Sequence, residues 1–271
     1  MFLLWLRVAA VLYAAASVAA FPAVLYGRPG WRRIALPLAA GAFFFHFVSL
    51  TEMLVAAHHW APVGTREVQS LLSISVCFAF LLIVAFYRTI SFGIFALPLA
   101  LLLALPTALG YDRGGTASPM AQSGWLFLHI STMLAAYAAL FFSLLASLLY
   151  LLQERRLKQK NRIGFLTWLP PLDTLNRIGS SMLLIGFPFM TAGLLAGSLI
   201  AQHRVGAAYF LDPKILLSFA MWLIYLLMIF VQRSSGLRGR RAVYLSSFAF
   251  LVVLSVWAAN QFSLVHRFAA P

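Results

Sequence analysis

Charged residues are scarce in this 271-residue chain. They make up 10% of the sequence and only six are acidic, whereas 63% of the residues are hydrophobic. A soluble globular domain carries about 25% charged residues. Because so apolar a surface would not stay in water, the composition excludes a soluble protein. It predicts an integral membrane protein in which residues 1–271 form a single transmembrane domain.

Cysteine is almost absent as well, since Cys77 is the single one. A lone cysteine forms neither an internal disulfide nor a CxxC redox pair. The sequence also lacks a nucleophile motif, a glycine-rich phosphate loop and a pair of catalytic carboxylates. These absences argue against a thiol–disulfide oxidoreductase, and they predict that the protein is not an independent enzyme.

Long apolar runs take up most of the chain. A helical span needs about 20 apolar residues, and continuously apolar runs, unlike alternating ones, exclude a transmembrane barrel. We therefore predict an all-α polytopic membrane protein, a bundle of about eight transmembrane helices. The predicted spans cover approximately residues 2–26, 34–57, 70–87, 91–110, 125–152, 179–201, 215–231 and 243–263.

The basic residues are divided unevenly between the predicted loops. Fourteen of the 20 Lys and Arg residues lie in odd-numbered loops, and five lie in the even-numbered loops and the C-terminal tail. An excess of Lys and Arg marks cytoplasmic loops, so both termini are predicted on the outer, periplasmic side. Because the basic residues fall in short loops rather than on one folded face, the net charge of +14 does not indicate nucleic-acid binding.

Five of the six histidines fall on the predicted outer side. Histidine tolerates a membrane interface without any ligand, but neutral imidazole is also a common metal ligand. The outer carboxylates are few for a hard cation, and no HxxxH spacing favours zinc. Haem needs only one or two axial ligands on a planar, mostly apolar ring, and nearby basic residues could pair with its propionates. The outer histidines are His58, His59, His129, His203 and His266.

Several segments of the second half share the pattern of a known family. They read "WLFLHISTMLAAYAALFFSLLASLLYLL" (125–152), "NRIGSSMLLIGFPFMTAGLLAGSLIA" (176–201), "LDPK" (211–214) and "LRGRRAVYLSSFAFLVVLSVWAANQFSLVHRF" (237–268). Together they resemble the cytochrome c assembly family, which includes CcsA-type and CcmC-type haem-handling membrane proteins. The resemblance is strongest over residues 125–268 and is closest to the YpjD/HemX-like branch. It implies a multi-pass protein of the bacterial inner (plasma) membrane.

The resemblance also implies a haem site at the outer face. Two outer histidines of the family hold haem, and the match identifies His129 and His266 as the axial pair of the iron. The implied role is assistance in cytochrome c assembly. Its implied partners, besides membrane lipid, are other cytochrome c maturation or haem-trafficking proteins.

Between these histidines the family carries a tryptophan-rich WWD segment. Here that segment reads "HRVGAAYFLDPK" (203–214) and has no tryptophan. Tyr209 and Phe210 are the aromatic residues in their place, and Asp212 fits the end of the motif. The departure puts the strength of haem binding in question, because stacking aromatics would grip the ring.

Two further histidines have two interpretations each. His46 lies near the middle of span 34–57, where a polar residue is a functional hypothesis by default. It is either a ligand of a second haem, since family members carry transmembrane histidines, or the centre of an interhelical hydrogen bond. His59 is similar to a histidine at the outer end of a family span, and the alternative there is interfacial anchoring by Trp60.

Helical spacing also links several residues near His129. Met133 and Tyr137 share its stripe of the fifth span, where they either line a haem site or simply pack. Gly193 and Gly197 form a GxxxG pair, which predicts a close approach of two helices.

Two other functions remain open from the sequence. A transporter or transporter accessory subunit, for a cation for example, would use Glu52 and His46 as an intramembrane polar relay. A membrane regulator of tetrapyrrole synthesis would act through the basic loop 153–178.

Overall fold

All regular secondary structure in the part of the chain that the structure describes is helical. In a computed structural model, this part comprises residues 1–56, 58, 61–62, 64–110, 123–158, 169–206, 212–235 and 240–258. It contains eight helices, which confirms the all-α prediction. They are α1 (Phe2–Leu25), α2 (Pro29–Ala56), α3 (Thr65–Tyr87), α4 (Gly93–Leu109), α5 (Gly124–Lys158), α6 (Leu172–Val205), α7 (Pro213–Ser235) and α8 (Arg240–Ala258).

Most of these helices have the length and composition of membrane spans. Six of the described helices are long and apolar enough to cross a membrane. The two others, α4 and the apolar stretch Tyr244–Val256 of α8, are also apolar but shorter. The chain is therefore a multi-pass membrane protein, as the composition predicts. The side on which the termini lie stays a prediction.

The ends of α5 and α6 differ from the predicted spans because hydrogen-bonded helix continues past the apolar run. α5 extends to Lys158, whose ammonium pairs with the Glu154 carboxylate one turn earlier at 2.7 Å. Such an i,i+4 pair supports an exposed helix end. α6 begins directly after Pro170 and Pro171, because two consecutive prolines do not continue a preceding helix.

The described helices belong to two compact units. The first unit comprises Met1–Arg113 and Leu152–Thr174, and it contains α1 to α4. The second unit comprises Gly114–Leu151 and Leu175–Pro271, and it contains most of α5 and α6 together with α7 and α8. The prediction of one transmembrane domain over the whole chain stays a prediction.

Small residues hold the first unit together. α1 packs against α2 and α4, and α3 packs against α4 and α2. In lipid, helices associate through close packing and interhelical hydrogen bonds, because burying apolar surface gains little there. The inward face of α1 is accordingly rich in fully buried small side chains, namely Ala9, Ala16 and Ala20.

A seam of glycines joins α5 to α6 in the second unit. The glycines at 179, 186 and 193 recur every seven residues, a period that keeps one helix face on one partner. Glycines later in α6 lie against residues earlier in α5, so the two helices run antiparallel. A Cβ added at Gly179 would meet Ala146, one at Gly186 would meet Ala139, and one at Gly193 would meet Met133.

The core of the second unit is rich in methionine. Met133 of α5 packs there with Met190, Met221 and Met228, and Tyr137 lies against the same cluster. Methionine fills irregular spaces between helices because its unbranched side chain is flexible. For Met133 and Tyr137, the structure thus shows the packing role that the sequence analysis gave as one of two interpretations.

Candidate functional site

The imidazole of His129 is fixed by the backbone of a neighbouring helix. His129 lies near the start of α5, and its Nδ1 is 2.7 Å from the carbonyl oxygen of Gly193 in α6. A carbonyl oxygen only accepts hydrogen bonds, so the proton is on Nδ1. In the neutral ring, Nε2 then carries the free lone pair. Among the described residues, no hydrogen-bond partner meets that nitrogen.

The ring of His129 lies directly over a second glycine of α6. A Cβ added at Gly197 would come within 2.6 Å of both Cε1 and Nδ1 of His129. Real Cβ atoms do not approach so closely, so no side chain fits there unless the imidazole moves. The GxxxG pair therefore does more than bring two helices together. Gly193 supplies the hydrogen-bond acceptor, and Gly197 leaves the space that the ring occupies.

Asp212 starts helix α7. Its Oδ1 accepts a hydrogen bond of 2.9 Å from the backbone N–H of Lys214, and its carbonyl oxygen accepts from the N–H of Ile215 at 3.0 Å. Aspartate before a helix, with proline as the first helical residue, is a favoured start. The buried carboxylate of Asp212 thus has a structural role in capping α7, whatever else it does.

Lys214 lies at the same end of the second unit as His129. The indole N–H of Trp222 donates to Thr191 at 3.0 Å, and the amide of Gln232 donates to Ser180 at 2.5 Å. α7 therefore runs antiparallel to α6 and begins near the level of Gly197. Lys214 is close enough to interact electrostatically with His129. We refer to His129, Gly193, Gly197, Asp212 and Lys214 as the histidine end.

Helix α8 leads toward this histidine end. The hydroxyls of Ser147 and Ser246 are 3.2 Å apart, and the rings of Phe141 and Phe250 have centroids 6.4 Å apart. α8 is thus antiparallel to α5. It ends at Ala258, the last residue that the structure describes.

The other predicted site residues of the C-terminal half, Tyr209, Phe210 and His266, lie outside the described residues, as does His59 in the N-terminal half.

His46 lies in the core of the first unit and has no exposed surface. Its Nδ1 is 3.2 Å from the hydroxyl of Tyr13, and its Nε2 is 2.8 Å from the hydroxyl of Ser70. These bonds join α1, α2 and α3, so the structure contains the interhelical hydrogen bond that was one interpretation of His46. To bind iron, the imidazole would first have to lose one of these two partners.

Glu52, the other residue of the suggested polar relay, has a different partner. Its Oε1 accepts a hydrogen bond of 3.3 Å from the indole N–H of Trp5. The hydrogen bonds of the described residues thus give Glu52 and His46 separate partners.

Of the basic loop 153–178, the part from 159 to 168 lies outside the described residues.

Sequence reasoning missed the hydrogen-bond partners of both His46 and His129. Tyr13 and Ser70 are single hydroxyl-bearing residues inside apolar runs, and no spacing links residues on three different helices. Gly193 acts through its carbonyl, which every residue has. A signal was available in the seven-residue period of the α6 glycines, which marks the face that contacts α5.

These features define a multi-pass helical membrane protein with an oriented histidine at one end of a helical unit. The chain belongs to the cytochrome c assembly protein family, because residues 36–257 match the model of that family, Cytochrome C assembly protein. This confirms the family predicted from the sequence.

Named relatives support the same assignment. The chain is 29% identical over 223 residues to the cytochrome c biogenesis protein CcsA of Heterosigma akashiwo, covering 66% of this chain and 69% of that protein. It is 26% identical over 269 residues to the CcsA protein of Prochlorococcus marinus (strain MIT 9215), covering 84% and 86%. It is also 30% identical over 149 residues to an uncharacterized 28.8 kDa protein of Azospirillum brasilense, covering 54% and 55%.

Proposed function

We propose that this protein binds haem at the histidine end and assists cytochrome c assembly as a haem-handling membrane protein. The hydrogen bond from Nδ1 of His129 to Gly193 is the observation that carries the proposal. A histidine that binds a metal usually donates its other ring N–H to a carbonyl or carboxylate, which orients the ring and raises its basicity. His129 already has this arrangement, with Nε2 left for the iron.

The remaining residues of the histidine end fit the same ligand. Lys214 supplies a positive charge near His129, which suits a propionate of haem. Tyr209 and Phe210 precede Asp212 in sequence, and we assign them to stacking against the ring. When bound, haem would bring the iron that His129 holds, and we regard it as cargo for cytochrome c rather than as a catalytic group.

His266 is the proposed second axial ligand. The direction of α8 supports this role, because the helix leads toward the end where His129 lies and stops in the described part eight residues before His266. His46 and His59 are assigned to a second site. At His46, such a site requires that the bond to Tyr13 or to Ser70 be exchanged for iron.

We further propose that both termini and the histidine end face the periplasm of a bacterial inner membrane. The uneven distribution of Lys and Arg supports this orientation. A contact between basic residues supports it as well, since Nη2 of Arg32, near the start of α2, donates to the carbonyl oxygen of Arg88, directly after α3, at 3.1 Å. Both residues therefore lie at one end of the first unit.

Cysteine labelling tests the orientation. The native Cys77 is fully buried, so introduced cysteines report alone. A membrane-impermeant maleimide added to intact spheroplasts should label His203→Cys and should label Arg28→Cys only after lysis. The reverse pattern would contradict the orientation.

Absorption spectra test the haem assignment. The protein is purified from haem-replete cells, together with His129→Ala, His266→Ala and the double variant. The control is His58→Ala, which replaces an exposed histidine of the first unit. We expect a Soret band in the wild type and the control that shifts in each single variant and is strongly reduced in the double variant, where only haem at the second site would remain. A wild-type protein without a Soret band, or a band unchanged in the double variant, would overturn the proposal.

A further inference from the structure

A second polar site lies in the second unit, far from the histidine end. It is a small cavity between α5, α6, α7 and α8. Its position on α5 is about 20 Å along the helix from His129, at a rise of 1.5 Å per residue. None of the described residues that line it is charged. Its polar lining includes Ser143, Ser147, Asn176, Ser180, Gln232 and Ser246.

Some of these polar groups have partners across the helices and others do not. Gln232 donates to Ser180, and Ser147 is paired with Ser246. Ser143 is only 3% exposed, yet its hydroxyl has no hydrogen-bond partner among the described residues. This residue lines the cavity, and a polar group that faces a cavity without a protein partner is usually satisfied by bound water.

The volume of the cavity decides what that partner is. The centres of water molecules can occupy about 30 Å³ of the cavity. A bound water needs about 10–15 Å³ of such space and two to four polar partners, so the cavity holds about two water molecules. It is too small for a haem or a lipid headgroup. Its uncharged lining also gives no counter-ion for a metal cation or an anion.

We propose that this cavity is a site for bound water. The water molecules satisfy the hydroxyl of Ser143 and bridge it to Asn176 and to the hydroxyl groups of α6 and α8. Four membrane helices are thereby joined through water at the end of the unit that does not carry the histidine. The site does not depend on haem binding, so it stands or fails separately from the proposed function.

Hydroxyl-radical footprinting of the full chain in nanodiscs tests this site. Radicals formed by X-rays from a bound water oxidise the side chains next to that water, even buried ones. Met228 lines the cavity and is 2% exposed, whereas Met190 and Met221 are fully buried in the same core. We expect oxidation of Met228 and none of Met190 or Met221. Equal, background oxidation of all three would overturn the proposal.

A filled cavity provides the matched variant. Ser143→Val removes the hydroxyl and fills the space, so the oxidation of Met228 should fall to the level of Met190. Oxidation of Met228 that persists in Ser143→Val would also contradict the water site. Because the wild-type comparison among the three methionines needs no variant, the test holds even if Ser143→Val does not fold.

Discussion

Nδ1 of His129 donates a hydrogen bond to the carbonyl oxygen of Gly193 across 2.7 Å, from α5 to α6. The bond places the proton on one nitrogen and the lone pair on the other. It also ties the orientation of the ring to the packing of two helices, through the empty space above Gly197. Changes on α6 should therefore affect ligand binding at His129 without touching the histidine.

Gly197→Ala should weaken haem binding about 10- to 100-fold, as is usual when a group that orients a metal ligand is altered. Its new Cβ would displace the imidazole. Gly186→Ala is the control, because its Cβ would meet Tyr225 and Ala139 on the same seam but not His129. Haem titration and thermal unfolding should show lower stability for both variants and weaker haem binding for Gly197→Ala alone. Equal haem affinity in the two variants would show that Gly197 matters only for packing.

Lys214→Gln should weaken haem binding about tenfold, or about 1.4 kcal/mol, through loss of a charge-assisted contact with a propionate. Haem dimethyl ester, which has no propionate charge, should bind equally well to the variant and the wild type. Lys158→Gln removes a lysine from the opposite end of α5 and serves as the control. If Lys214→Gln weakens binding of haem and its ester alike, the role assigned to the charge of Lys214 is wrong.

The arrangement around His46 predicts an effect on stability. Tyr13→Phe and Ser70→Ala each remove one hydroxyl that bonds the imidazole. Each should lower the free energy of unfolding by about 0.6–1.7 kcal/mol, the range for interhelical hydrogen bonds in membranes. Ser75→Ala is the control on α3, because that hydroxyl bonds Leu71 within its own helix. Reversible unfolding in mixed micelles measures the difference, and equal stability of all three variants would contradict the network.

Asp212→Ala should destabilise α7 by about 1 kcal/mol, whereas Asp212→Asn should not, since asparagine is an equally good N-cap. Thermal unfolding distinguishes the variants. If Asp212→Asn is as unstable as Asp212→Ala, the negative charge matters more than the hydrogen bond to Lys214.

The eight helices could be predicted from the sequence because a membrane span is defined by its own composition. Continuous apolar runs located every helix to within several residues. The largest errors lay at the cytoplasm-facing ends predicted for α5 and α6, where helix continues into charged sequence such as Glu154 to Lys158. Hydropathy detects the lipid-facing part of a helix and gives no information on where its hydrogen bonds end.

The candidate site was predicted only in part. His129 and the glycine pair were found separately, through family resemblance and through the GxxxG spacing. Their contact was not predictable, because it depends on how α5 and α6 are aligned. For His46 the sequence gave two interpretations. Only the positions of Tyr13 and Ser70 on neighbouring helices show which hydrogen bonds the buried ring makes.

The most direct test of the haem assignment is the absorption spectrum of His129→Gly with and without added imidazole. The glycine leaves a space on α5 into which free imidazole fits as a replacement ligand. The account predicts that the variant loses or shifts the wild-type Soret band and that imidazole restores it. A Soret band identical to that of the wild type, unaffected by imidazole, would show that His129 does not bind the iron.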